Sequence, residues 1–190
     1  MRWPKPKRLA RRAAELGRDD AVALCTAGFA LLPLGDIEDA AALIERTLAL
    51  NANLAWAWLF SGWVKVSLGQ PEVAIEHIAR AMRLSPHDPQ IFNMHAATAC
   101  AHFVAGRYAE AWSRANMAVR ERSNYLLATC VAAASGALTG RPSEAERAMA
   151  RVRQLDSGLR LSNLKHLFPF HRSEDFAKFD EAMRKAGLPE

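Results

Sequence analysis

Apolar residues recur along the chain with a helical period, and small residues mark where one helix is pressed against the next. In the segment from Ala55 to Asp88, Ala74, Ile78 and Ala81 fall at i, i+4 and i+7, one face of a helix. Before them, Gly69 ends one apolar stretch. Gln70-Pro71 opens the next, with proline in a first turn where its missing N–H is no loss. Pro86 stops that second helix. The same arrangement returns along the sequence. Gly35, Gly69, Gly106 and Gly140 are each followed five residues later by alanine, and their separations are 34, 37 and 34 residues. That period predicts stacked helical hairpins over residues 21–54, 55–88, 89–125 and 126–159. The 37-residue interval places three extra residues in the first helix of the third hairpin, about 4.5 Å at the α-helical rise.

A hairpin of this length leaves an apolar face that only its neighbour covers, so the array is expected to fold as one elongated unit. Residues 160–190 read as its cap. Ser173 is the expected N-cap, Glu174 and Asp175 suit the positive helix end, and Phe176, Phe179 and Met183 share one face. Lys185, Gly187 and Pro189 close that helix. Phe168-Pro169-Phe170 reads as an extended apolar clamp on the last hairpin.

Trp58 and Gly62 in the first helix of the second hairpin, with Gly69, Ala74, Ala81 and Pro86 after them, resemble the tetratricopeptide repeat family. The resemblance implies an all-α, right-handed α-solenoid of about four hairpins with a C-terminal capping helix. Gly62, Ala74 and Ala81 would let two helices approach, with Trp58 filling the remaining space. Ser61 and Lys65 depart from the family, which usually keeps leucine and tyrosine there. A narrower resemblance runs from about Arg8 onward, carried by AWLFSGWVKVSLGQPEVAIEHIARAMRLSPHDP, AHFVAGRYAEA and SNLKHLFPFHRSEDFAKFDEAMRKAGLPE. These stretches are similar to the C-terminal repeat region of bacterial proteins in which a class III adenylate or guanylate cyclase domain, or a winged-helix DNA-binding domain, precedes the repeats. The similarity implies regulation by contact, and no catalytic residue of such a domain has a counterpart here.

The first helix of the second hairpin carries more apolar surface than one packing face needs. Trp56, Leu59, Trp63 and Val66 form another stripe at i, i+3, i+7 and i+10. In tetratricopeptide arrays that stripe points into the concave groove. Its counterparts are Val22, Cys25, Phe29 and Leu32 in the first hairpin, Gln90, Asn93 and Ala97 in the third, and Leu127, Cys130 and Ala134 in the fourth. Phe29, Trp56, Leu59, Trp63, Val66 and Asn93 are therefore the candidate partner-binding residues, suited to a hydrophobic peptide or a helix. The competing reading buries Trp56 and Trp63 against the first helices of the neighbouring hairpins, since a helix apolar all round is usually core.

Composition agrees with a helical array: 190 residues, 51% apolar, with a net charge of +5. The charge is uneven, at +4 over residues 1–20, −3 over 21–105, +4 over 106–160 and zero over the remainder. The basic arm 1–20 is either a solvated face formed by Arg8, Arg11, Arg12 and Glu15 or a site for phosphates or anionic lipid. Cys25, Cys100 and Cys130 are unpaired in spacing, and His95 and His102 lack a third ligand, so neither disulfide nor metal is expected. No phosphate-cradling or hydrolase motif occurs, and no cofactor is expected. Asp19 and Asp20 stand before the apolar run 21–35, which argues against a secretory signal, and no stretch reaches the roughly 18–20 apolar residues of a membrane span. These features together point to a cytoplasmic, noncatalytic module that binds a protein, a peptide or its own copy, with nucleic acid or an anionic surface as the alternative.

Overall fold

The structure is a computed structural model that describes residues 5–166 and 170–190. All regular structure among the described residues is helical. Four antiparallel hairpins follow one another: α2 (Ala21–Leu31) with α3 (Ile37–Leu50), α4 (Ala55–Ser67) with α5 (Pro71–Leu84), α6 (Ile91–Val104) with α7 (Tyr108–Glu121), and α8 (Leu126–Leu138) with α9 (Pro142–Leu155). Helix α1 (Lys5–Leu16) packs on α2 at one end, and α10 (Ser173–Lys185) packs on α8 at the other. The fold is an α-solenoid.

The period has a backbone cause. At each hairpin turn a glycine takes a left-handed conformation, with φ of 80°, 68°, 75° and 67° at Gly35, Gly69, Gly106 and Gly140. Around Gly69, the Gln70 N–H donates to the Lys65 carbonyl at 2.8 Å and the Gly69 N–H donates to the Val66 carbonyl at 3.0 Å. This double closure satisfies carbonyls that the helix end leaves open, and a Cβ would strain it. The same pair of bonds recurs at Gly106, where Arg107 reaches His102 and Gly106 reaches Phe103.

The hairpin core depends on small residues, though not in the expected way. Ile78 of α5 fills the space a Gly62 side chain would need, and Ile44 of α3 does the same at Gly28. Trp58 is not the filler. It is half-buried at the hairpin edge, where its indole N–H donates to the Ala52 carbonyl at 2.9 Å and Arg80 lies over its ring at 4.2 Å.

Two other expectations are corrected. Helix α6 has 14 residues against 13 in α4, so the 37-residue interval lengthens the helix by one residue and not by three. Most of the extra length sits in the loop 85–90, which has six residues where 51–54 has four. Counted back from the turn glycine, the counterparts of Trp56, Leu59, Trp63 and Val66 are then Asn93, Ala96, Cys100 and Phe103, because the glycine turn fixes the register. Ser173 begins α10 as its first helical residue, with Arg172 at the cap and no side-chain cap bond. Glu174 and Asp175 do occupy the first turn. Phe168 and Pro169 lie outside the described residues.

Residues 5–16 form a packed helix. Ala10 is buried against the array, the Lys7 ammonium donates to Asp36 at 2.5 Å, and the Arg11 guanidinium reaches Asp39 at 2.7 Å. Those acids stand at the start of α3. The basic arm is thereby spent partly within the fold, leaving Arg8 exposed and Arg12 paired with Glu15.

Candidate functional site

The first helices α2, α4, α6 and α8 touch one another from hairpin to hairpin, while the second helices meet their counterparts far less. The array therefore curves with the first helices on its inner side, and the expected stripe does lie on them. Burial divides the candidates. Trp56 keeps 43% of its surface exposed and Phe29 keeps 38%, whereas Trp63 keeps only 4%. Leu59, Val66 and Asn93 are buried as well. A ligand approaching this structure has no access to Leu59, Trp63, Val66 or Asn93, because adjacent first helices close over them.

Trp63 illustrates why. Its indole N–H donates to the Asn93 side-chain oxygen of α6 at 3.2 Å, and the Tyr125 hydroxyl donates to the same oxygen at 3.1 Å. One amide thus ties three successive hairpins together. Trp63 is buried between first helices, whereas Trp56 is not.

What remains open is an aromatic cluster. The Phe29 and Phe60 rings stack at 4.0 Å between centroids with an interplanar angle of 12°, and Trp56 lies 6.3 Å from Phe60. The Trp56 indole N–H donates to the Asp88 carboxylate at 3.3 Å, and Asp88 is itself held by the Gln90 N–H at 2.8 Å. The longer loop 85–90 therefore supplies the anchor that orients Trp56. Phe60 was missed in the sequence, although its position four residues after Trp56 puts it on the same helical face.

The turn side of the inner face is occupied by the chain's own C-terminal segment. Phe170 and Phe179 lie 6.1 and 5.3 Å from Phe103 near the end of α6, and 5.2 Å from each other. Arg172 donates to the Gly69 carbonyl at 3.5 Å, and a Cβ on Gly69 would collide with its guanidinium. His171 reaches toward the Gly35 turn. The segment is more than a cap on the last hairpin: it crosses to the turns of the first and second.

Reactive chemistry is scarce. Burial pushes the thiols of Cys25 and Cys130 up to about 12 and raises Cys100 as well, so none supplies a thiolate at neutral pH. Among the described residues no three His, Cys, Asp or Glu side chains converge to hold a metal. His77, His95, His102 and His171 all fall below the usual 6.5, chiefly because burial disfavours their charged forms. His77 also has its Nδ1 within 2.9 Å of the Ser61 hydroxyl. Unfolding restores ordinary basicity, so the unfolded chain takes up more protons as pH falls through 6.5. The stabilisation is fully present above that value and is lost as pH falls through the lower folded values. Thermal melts are expected to be flat between about pH 8 and 7 and to shift downward below about pH 6. Replacing His95 by Gln should flatten part of that slope.

No family model matches the sequence, and no curated protein matches it. Solved structures do resemble the fold. "Crystal structure of PilW, widely conserved type IV pilus biogenesis factor" has a TM-score of 0.71 at 13% identity, covering 92% of this chain and 81% of that one. "MamA 41-end from Desulfovibrio magneticus RS-1" has a TM-score of 0.65 at 18% identity, covering 81% and 87%. "MamA AMB-1 P212121" has a TM-score of 0.60 at 20% identity, covering 82% and 99%. These likenesses establish the solenoid. No helix among the described residues is long and apolar enough to cross a membrane.

Proposed function

We propose that the chain is a noncatalytic protein-binding module whose docking face is the open part of the inner surface around Phe29, Phe60 and Trp56. The observation that carries this is the partly exposed Phe29 ring, stacked on the buried Phe60 ring beside a half-open tryptophan that Asp88 holds in place. Large aromatics presented on rigid helices give contact area at low entropic cost. The fitting ligand is a peptide or helix that offers an aliphatic or aromatic side chain to this cluster, in a groove-binding mode. Leu59, Trp63, Val66 and Asn93 serve it from below by fixing the helices that carry the surface. The narrower assignment, regulation by contact of a nucleotide cyclase or a winged-helix transcription regulator, rests on the sequence resemblance of the repeats and the C-terminal segment.

A photo-cross-linker at Val22, exposed on the same helix as Phe29, is expected to trap a protein that one at exposed Arg8 does not. The trapped protein, once purified, should bind the wild-type chain and lose about tenfold or more in affinity on Trp56→Ala, at an unchanged thermal midpoint. Equal trapping from both positions, or equal affinity for the variant, refutes the assignment.

A further inference from the structure

We infer that the groove between α7 and α9, on the outer side of the array, docks an acidic peptide segment. Trp112, Asn116, Val119 and Arg120 form one stripe of α7, and Arg147, Ala148 and Arg151 face them from α9. Thr129 and Ala132 of α8 make the floor of a cleft of about 380 Å³. Arg141, at the hairpin turn, lies over the Trp112 ring at 4.4 Å and adds a fourth guanidinium beside it.

What marks the cleft is how little of its charge the fold uses. Some basic residues elsewhere are neutralised by acids, Arg107 by Glu72 at 2.5 Å, Arg11 by Asp39 at 2.7 Å and Lys185 by Glu181 at 2.8 Å, and Arg80 and Arg122 each lie over a ring. Around the cleft, Arg120, Arg141 and Arg151 form no ion pair among the described residues, and Arg147 has only Glu144 at 3.9 Å. The Arg151 guanidinium is held by neutral acceptors, the Ser123 carbonyl at 3.2 and 3.3 Å and the Gln154 side-chain oxygen at 3.0 Å. Its position is fixed and its charge is left over. Guanidinium forks match carboxylates in bidentate geometry, and a partly enclosed site strengthens such bonds.

The cleft's shape selects the ligand class. A nucleic-acid track needs cations in a row along a backbone, whereas Arg120, Arg147 and Arg151 line one cleft with an apolar wall of Trp112, Val119 and Ala148. Glu144 at the rim also opposes a dense polyanion. Carboxylates interspersed with an apolar side chain fit both the charges and the wall. The basic arm adds nothing to this surface, because α1 packs at the other end of the array and spends Lys7 and Arg11 on Asp36 and Asp39. The inference is independent of the aromatic docking face.

The probe is a short fluorescein-labelled peptide of glutamate and leucine, titrated into the full chain by anisotropy. Saturable binding is expected, weakened at least about tenfold by Arg120→Gln with Arg147→Gln. It should be unchanged by the charge-matched Arg8→Gln with Arg83→Gln. The indole N–H resonance of Trp112 should shift as the peptide is added, which locates the site without any substitution. No saturable binding, an equal loss in the charge-matched control, equal affinity for the glutamine version of the peptide, or tighter binding of a single-stranded oligonucleotide of the same charge would each overturn it.

Discussion

Trp63→Ala is expected to destabilise the chain by about 3–5 kcal/mol, the range for a buried aromatic cut back to alanine. That is at least about a fifth of the roughly 5–15 kcal/mol by which a typical domain is stable. Two losses combine. The indole, only 4% exposed, fills the seam between α4 and α6, and its N–H holds the Asn93 oxygen at 3.2 Å. Asn93 keeps the Tyr125 hydroxyl at 3.1 Å, so it is not stranded, but the link from the second hairpin to the third is cut. In a solenoid the interfaces between neighbours carry the stability, so a seam defect is felt by the whole array. Trp63→Phe should retain most of the packing and lose chiefly the hydrogen bond, a cost of about 1 kcal/mol. Denaturant midpoints of the two variants measure the difference. A Trp63→Ala protein that melts like the wild type but fails to bind would return this residue to a ligand groove.

The repeat frame was legible because its signal is local. A left-handed turn accepts glycine and little else, so Gly35, Gly69, Gly106 and Gly140 announce the hairpins without reference to anything distant. The third hairpin was misread because counting from its N-terminal end assigns extra residues to the helix, whereas the structure absorbs most of them in the loop 85–90 and uses Asp88 there to hold Trp56. The inner stripe was recognised as apolar, but periodicity says which residues face the same way and not what lies opposite. Hence Phe29 and Trp56 stay at the surface while Leu59, Trp63, Val66 and Asn93 do not. The bond from Arg172 to the Gly69 carbonyl joins positions 103 residues apart and leaves no pattern in the sequence. The arginines of residues 106–160 were visible as an excess of charge; that several line one cleft depends on how α7 and α9 are rotated on α8.

Phe179→Ala should be about as costly as the tryptophan change, roughly 3–5 kcal/mol, and should show how the C-terminal segment is held. Phe179 is fully buried on the face of α10 that also carries Ala182 and Met183, and its ring meets Phe103 of α6 edge-on at 5.3 Å. Phe170 closes the trio at 5.2 Å from Phe179. Aromatic packing of this geometry adds to the burial of the ring itself. The bond from Arg172 to the Gly69 carbonyl of the second hairpin is long by comparison, at 3.5 Å, and solvent-exposed. Loss of the ring should therefore free α10 from α6 and uncover Phe103. Because each element of the array leans on its neighbour, α8 and α9 should lose amide protection before α2 and α3, and a hydrophobic dye should bind the variant below its melting midpoint. If protection fell uniformly from α2 to α9, the segment would be an inseparable part of one cooperative core. If the melt did not move at all, the Phe179 ring would not be what fastens the segment, and the packing of α10 on α8 would have to hold it instead.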